Sequence, residues 1–163
     1  MTTPNKTTIT AEPGKLEVFI SREFDAPRES VFRAFTEPQL IVQWLGPRDV
    51  TMTVERFDYK NGGSYRYLHR RGAHEYWFHG VIHEVLAPER IIQTFEFEGF
   101  PESGHVALET TKFEALPGDR TRILTQAIFQ SVADRDSMMQ AGAERGINQG
   151  HERLTELLEA LKK

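Results

Sequence analysis

The chain ends in GAERGINQGHERLTELLEALKK (Gly142–Lys163), and the reading of this stretch decides the fold. At about 100° per residue, Met139, Ala143, Gly146, Ile147, Gly150, Leu154, Leu157, Leu158 and Leu161 fall into one stripe. Glu144, Arg145, Asn148, Glu152, Glu156 and Glu159 lie outside it. The spacing predicts one long helix from about Asp134 to Leu161, with its leucines buried. The N-terminal half of the stripe is empty at its centre, because glycines occupy it. Each glycine inside a helix costs roughly 0.5–1 kcal/mol relative to alanine. Whatever covers this half must therefore either approach the helix backbone closely or leave a space beneath it.

Working outward, the text before this helix is mostly β. LEVFISREF (Leu16–Phe24) is rich in strand formers and stops at Asp25-Ala26-Pro27. Asp25 is then placed to cap a short helix that buries Val31, Phe32 and Phe35 and ends near Thr36. Glu37-Pro38 opens a second short helix through Trp44, closed by Gly46-Pro47. From there to Phe129, about six segments are separated by glycine and proline turns. Alternation places Tyr65, Tyr67 and His69 on one strand face and Arg66 and Arg70 on the other. It likewise groups Tyr76, Phe78, Gly80 and Ile82 against His79 and His83, and Ile91, Phe95 and Phe97 against Glu96 and Glu98. HVALETTKF (His105–Phe113) alternates poorly, and its inner face stays unassigned.

The expected architecture is α+β: about six to seven antiparallel strands against a long C-terminal helix, with two short helices after the first strand. Residues 1–14 read as a loose N-terminal tail and residues 15–163 as one domain, within the usual size for a single core. With 39% hydrophobic and 27% charged residues, the composition is that of an ordinary soluble protein. A net charge of -4 argues against a general nucleic-acid partner, and no apolar run nears the roughly 18 residues of a membrane span. The polar N-terminus lacks a signal-peptide core, and the absence of cysteine excludes disulfides and thiolate sites; both suit a cytoplasmic protein.

No spacing marks a metal or a catalytic pair. His74 and His79 miss the HExxH spacing by one residue and fall on opposite faces of a strand, so no metal and no cofactor is expected. What remains is a set of aromatic inner faces. Tyr65, Tyr67, Tyr76, Phe78, Phe95 and Phe97 serve either as core or as the lining of a cavity.

Several blocks together resemble a known family. They are SREFDAPRESVFRAFTEPQLIVQWLGP (Ser21–Pro47), NGGSYRY, GVIHEVLAPERI, DRTRILTQAIF and GAERGINQGHERL. The chain is similar, from about Lys15 to Leu161, to activator-of-Hsp90-ATPase-homologue-like domains of the START-like helix-grip (SRPBCC) superfamily. The resemblance implies a curved antiparallel sheet gripping the C-terminal helix, with a ligand cavity between them. Ile147 stands where the family commonly has tryptophan, and His69 where it often has an apolar residue.

On this reading the protein binds a small apolar or aromatic molecule. The candidate lining is Trp44, Tyr65, Tyr67, His69, Tyr76, Phe78, Phe95, Phe97, Met139, Gly146, Ile147 and Gly150. Two other classes stand beside it. One is a cyclase- or hydrolase-like enzyme, with His69 and Tyr65 or Tyr67 as the proton-transfer candidates; no motif calls for turnover. The other is a chaperone-linked stress-response contact, which rests on analogy with the family name. A homodimer is compatible with the sequence.

Overall fold

The computed structural model describes residues 5–163. Its strands are β1 (Thr8–Thr10), β2 (Glu17–Phe24), β3 (Thr51–Phe57), β4 (Ser64–Arg71), β5 (His74–Leu86), β6 (Arg90–Phe97), β7 (Val106–Leu116) and β8 (Arg120–Ile128). They form one sheet in the order β1-β2-β8-β7-β6-β5-β4-β3, antiparallel throughout. Helices α1 (Arg28–Thr36) and α2 (Pro38–Ile41) follow β2, and α3 (Val132–Gln140) and α4 (Ala143–Leu161) close the chain. The fold is therefore α+β, a helix-grip arrangement with eight strands rather than six to seven.

The extra strand comes from the segment read as a tail. Thr8–Thr10 pairs with Phe19–Ser21 at the sheet edge, and Ile9 packs beside Val18 and Phe129. Register shifts occur between Val54 and Arg56 and between Ile82 and Glu84. Such bulges increase local twist and bend the strand that carries them.

The main core lies between the helices and the sheet's inner face. Alpha-helical spacing turns Leu154, Leu157 and Leu158 of α4 toward Phe24, Ile91, Phe113 and Ile123 of four strands. Phe32 and Phe35 of α1 meet Phe113 edge-on, with ring centroids 4.9 and 5.1 Å apart. Leu161 shares the leucine stripe but is 48% exposed, because residues 159–163 project beyond the packed body.

Three boundaries differ from the sequence reading. Asp25 does not cap α1, which begins after Pro27; its carboxylate binds Arg120 at 2.9 Å instead. Helix α2 stops at Ile41 and gives way to turns before Trp44. The C-terminal helix is two helices. Ser131 caps α3 by accepting a hydrogen bond from the Asp134 amide, and Gly142 adopts φ 94° between α3 and α4. That left-handed conformation is open to glycine at little cost. The break is only two residues, Ala141 and Gly142, and periodicity does not reveal it.

Candidate functional site

The inner face of β4 and its neighbours carries a row of aromatic rings. Tyr67 stacks on Phe78 at 5.1 Å, Phe78 lies 5.3 Å from Phe95 and 5.2 Å from Phe97, and Phe97 meets Phe100 at 5.2 Å. Tyr65 lies alongside Tyr67 at 6.0 Å and donates its hydroxyl to the Thr94 carbonyl at 2.5 Å. Gly80 permits this, since a Cβ there would come within 2.6 Å of the Tyr65 hydroxyl oxygen. Tyr76 sits at the rim, half-buried, 6.3 Å from Phe97.

A second group of candidates is joined in a helix-to-loop contact. The loop after α2 passes under α4, and a Cβ on Gly150 would stand 3.3 Å from both the Trp44 carbonyl oxygen and the Gly46 nitrogen. Close backbone approach, to a loop rather than to a strand, accounts for Gly150. Trp44 is itself core, stacked near Phe35 at 4.8 Å and donating from Nε1 to the Ala34 carbonyl at 2.9 Å. Arg153 donates to the Gly46 and Pro47 carbonyls, and the Gln149 side chain accepts from the Arg48 amide. Gly146 is looser, with only Pro47 Cδ at 3.6 Å from an added Cβ, and Ile147 beside it is half-buried.

His69 belongs to both groups. Its ring lies 5.0 Å from Tyr67 and 5.3 Å from Phe78, and a Cβ on Gly46 would fall 2.6 Å from its Cε1. Desolvation, reinforced by the Arg153 charge, pushes its pKa down to about 4. Its Nε2 is buried without a partner. The imidazole is thus held neutral and wedged beneath the loop.

The row of rings leads to a pocket of about 150 Å³ between the sheet and α3. Phe95, Phe97, Phe100, Ala107, Phe129 and Met138 give it apolar walls, and His105, Asp134 and Ser137 give it a polar rim. Met139 does not line it but packs, with Met138, against the adjoining cluster of Val18, Ala107, Ala127 and Phe129. His105 Nδ1 lies 3.0 and 3.1 Å from the two Asp134 oxygens. The hydrogen bond to Asp134 and its charge raise the His105 pKa. This pair ties the β6–β7 connection to the first turn of α3, and Phe100 packs on His105 at 5.5 Å.

Of the sequence candidates, only Phe95 and Phe97 line this pocket. Its other walls come from segments with no periodic signal, and His105 and Asp134 are brought together across 29 residues. Deeper on the same face, Gln93 and Glu109 occupy the next rung of the β6–β7 ladder after Phe95 and Ala107. On the outer face, His79 lies between Glu98 at 2.8 Å and Glu96 at 3.3 Å, while His74 is exposed. Among the described residues no helix is long and apolar enough to cross a membrane.

Three solved structures share this architecture. A protein from Arthrobacter aurescens, solved by NMR, is 23% identical with a TM-score of 0.85, over 94% of this chain and 91% of its own. Protein Ms6760 from Mycobacterium smegmatis is 22% identical with a TM-score of 0.85, over 97% and 99%. The AHSA1 (SPO3351) protein from Silicibacter pomeroyi is 18% identical with a TM-score of 0.73, over 90% and 99%. At these identities the likeness is one of fold. No curated protein matches. The model of the family described as "Activator of Hsp90 ATPase homolog 1-like protein" matches residues 25–159, from the residue after β2 to near the end of α4. The chain belongs to the Activator of Hsp90 ATPase homolog 1-like family.

Proposed function

We propose that this protein binds a small, largely apolar ring compound on the inner face of its sheet, in the pocket beneath α3. The carrying observation is the aromatic row from Tyr67 through Phe78 to Phe95 and Phe97, which ends in that pocket. Its volume selects the class of ligand. Drug-sized ligands occupy roughly 300–1,000 Å³, whereas an apolar cavity of about 150 Å³ suffices for benzene. One ring matches that volume.

The rim supports the same reading. His105 and Asp134 bridge the loop carrying Phe100 to α3, so their pair holds a side wall of the pocket in place. Ala107 is buried in the floor with a side chain too small to fill the space above it. Titration with α-methylstyrene, a one-ring hydrocarbon, followed by backbone amide NMR, tests the proposal. Shifts are expected in β6, β7 and α3. Ala107→Leu should abolish them while leaving the melting temperature within a few degrees, because the added carbons occupy existing space. Absence of shifts in the parent protein, with a Leu variant that melts much earlier through overpacking, would overturn it.

A further inference from the structure

The inner face carries a carboxyl side chain that the ring pocket does not explain. Glu109 lies in β7 opposite Gln93 of β6 and Ala127 of β8, one rung beyond the Phe95–Ala107 pair that lines the pocket. It is half-buried, and its surroundings desolvate the carboxyl. The small side chains of Ala107 and Ala127 are its neighbours on that face, and Ala107 also lines the pocket. Same-face neighbours on a strand are about 7 Å apart. That is roughly the distance spanned by half a ring, a carbonyl and one hydrogen bond.

The hydrogen bonding around Glu109 is one-sided. Gln93 Nε2 donates to its Oε1 at 3.2 Å, and Gln93 Oε1 in turn accepts from the Tyr59 hydroxyl at 2.5 Å. The Tyr65 hydroxyl is spent on the Thr94 carbonyl. Oε2 of Glu109 has no protein partner among the described residues, and no cation bears on the carboxyl. An ionised carboxylate enclosed by Tyr59, Tyr65 and Tyr67 would be an uncompensated buried charge. Burial accordingly raises the Glu109 pKa, opposed only by the Gln93 hydrogen bond. In the neutral acid, Oε2 carries no hydrogen bond to the described residues and can donate. Gln93 holds Oε1, and Tyr59 and Tyr65 donate elsewhere, which leaves Oε2 open to a ligand.

We propose that Glu109 is the polar anchor of the site, donating a hydrogen bond to the carbonyl oxygen of a neutral one-ring ligand whose ring occupies the pocket beneath α3. The inference rests on the ring-binding reading above and adds the functional group that the ligand carries. A buried protonated carboxyl beside tyrosines can hold a ketone oxygen in this way, and it discriminates against a shape-matched hydrocarbon.

Three probes of nearly equal shape test it. Acetophenone carries the carbonyl, α-methylstyrene replaces its oxygen with CH2, and 1-phenylethylamine carries a cation. NMR titration of the parent protein should show acetophenone binding about tenfold more tightly than α-methylstyrene, the size of one well-made neutral hydrogen bond. Glu109→Gln keeps a donor of similar shape and should retain most of that preference. Glu109→Leu should erase it while still binding the hydrocarbon. Equal affinity for ketone and hydrocarbon in the parent would overturn the anchor and leave the ring pocket standing. So would preference for the amine that disappears in Glu109→Gln, which would make Glu109 an ionised partner for a cation. If neither neutral probe binds, the pocket reading fails first and takes this inference with it.

Discussion

A methyl group on Gly150 would stand 3.3 Å from the Trp44 carbonyl oxygen and the Gly46 nitrogen, whereas one on Gly146 would meet only Pro47 Cδ at 3.6 Å. Two glycines on one helix face therefore have different reasons to be there. At 150, backbone lies against backbone, and neither side can move aside as a flexible side chain would. Gly150→Leu should lower stability by about 1–3 kcal/mol through overpacking, despite better helix propensity. Gly146→Ala should leave stability unchanged or raise it by up to about 1 kcal/mol. Urea unfolding of both variants checks the contrast, and a stable Gly150→Leu protein would refute it. The same scale shows why part of the site escaped the sequence. Tyr65, Tyr67 and Phe78 announce their shared face by alternation, because bulky rings mark every second position. The inner positions of β7 are Ala107, Glu109, Thr111 and Phe113, a small, an acidic, a hydroxyl and an aromatic residue, so the binary pattern is lost. Only the ladder to Gln93 and Ala127 reveals which way Glu109 faces.

Among the elements, the strand-rich centre and the amphipathic half of α4 were readable because burial imposes periods of two and 3.6 on them. Leu154, Leu157 and Leu158 lie where that period puts them, and Leu161 does not only because the helix outlasts its partners. The α3–α4 junction obeys a different constraint, a single backbone angle. Gly142 takes φ 94°, and an added Cβ would meet nothing within 4 Å, so its requirement is conformational alone. Gly142→Ala should therefore destabilise by about 1–2 kcal/mol, the strain of a non-glycine residue in the left-handed region. In a continuous helix the same change would stabilise by nearly 1 kcal/mol. The sign of the shift in unfolding free energy thus reports directly whether two helices or one close the chain. The break matters to the site, since α3 packs Met138 and Met139 against the Val18 cluster and lines the pocket with Met138, while α4 docks separately on the loop.

For the whole molecule, two buried histidines set the response to acid. His69 is held to a pKa of about 4 by desolvation and the Arg153 charge, and His151 to about 3 by desolvation and the Arg22 charge. His151 is locked by a 2.7 Å hydrogen bond between its Nδ1 and Thr7, and lies edge-on to Phe24 at 5.8 Å. Both rings are neutral in the folded protein, while in the unfolded chain they titrate near 6.5. Below pH 6.5 the unfolded state binds the extra protons, so stability falls as the pH drops toward 4. Each histidine contributes a slope of up to about 1.4 kcal/mol per pH unit across that window. His105 works in the other window: its pKa is raised by Asp134, so its contribution is complete below 6.5 and lost as the pH rises through the raised value. The paired carboxylates, among them Glu98 beside Arg66, add their losses only below about pH 4.5, where the unfolded chain begins to protonate. Between pH 6.5 and 4.5 the two buried histidines should therefore outweigh Glu109, whose raised pKa acts in the opposite sense and favours the folded state as the pH falls. Urea midpoints of the parent protein are expected to fall steeply over this interval. His151→Asn, which keeps a polar atom for Thr7 but cannot titrate, should remove about half of the slope, and adding His69→Met should flatten most of the rest. An unchanged slope in the double variant would show that the acid response originates elsewhere in the fold.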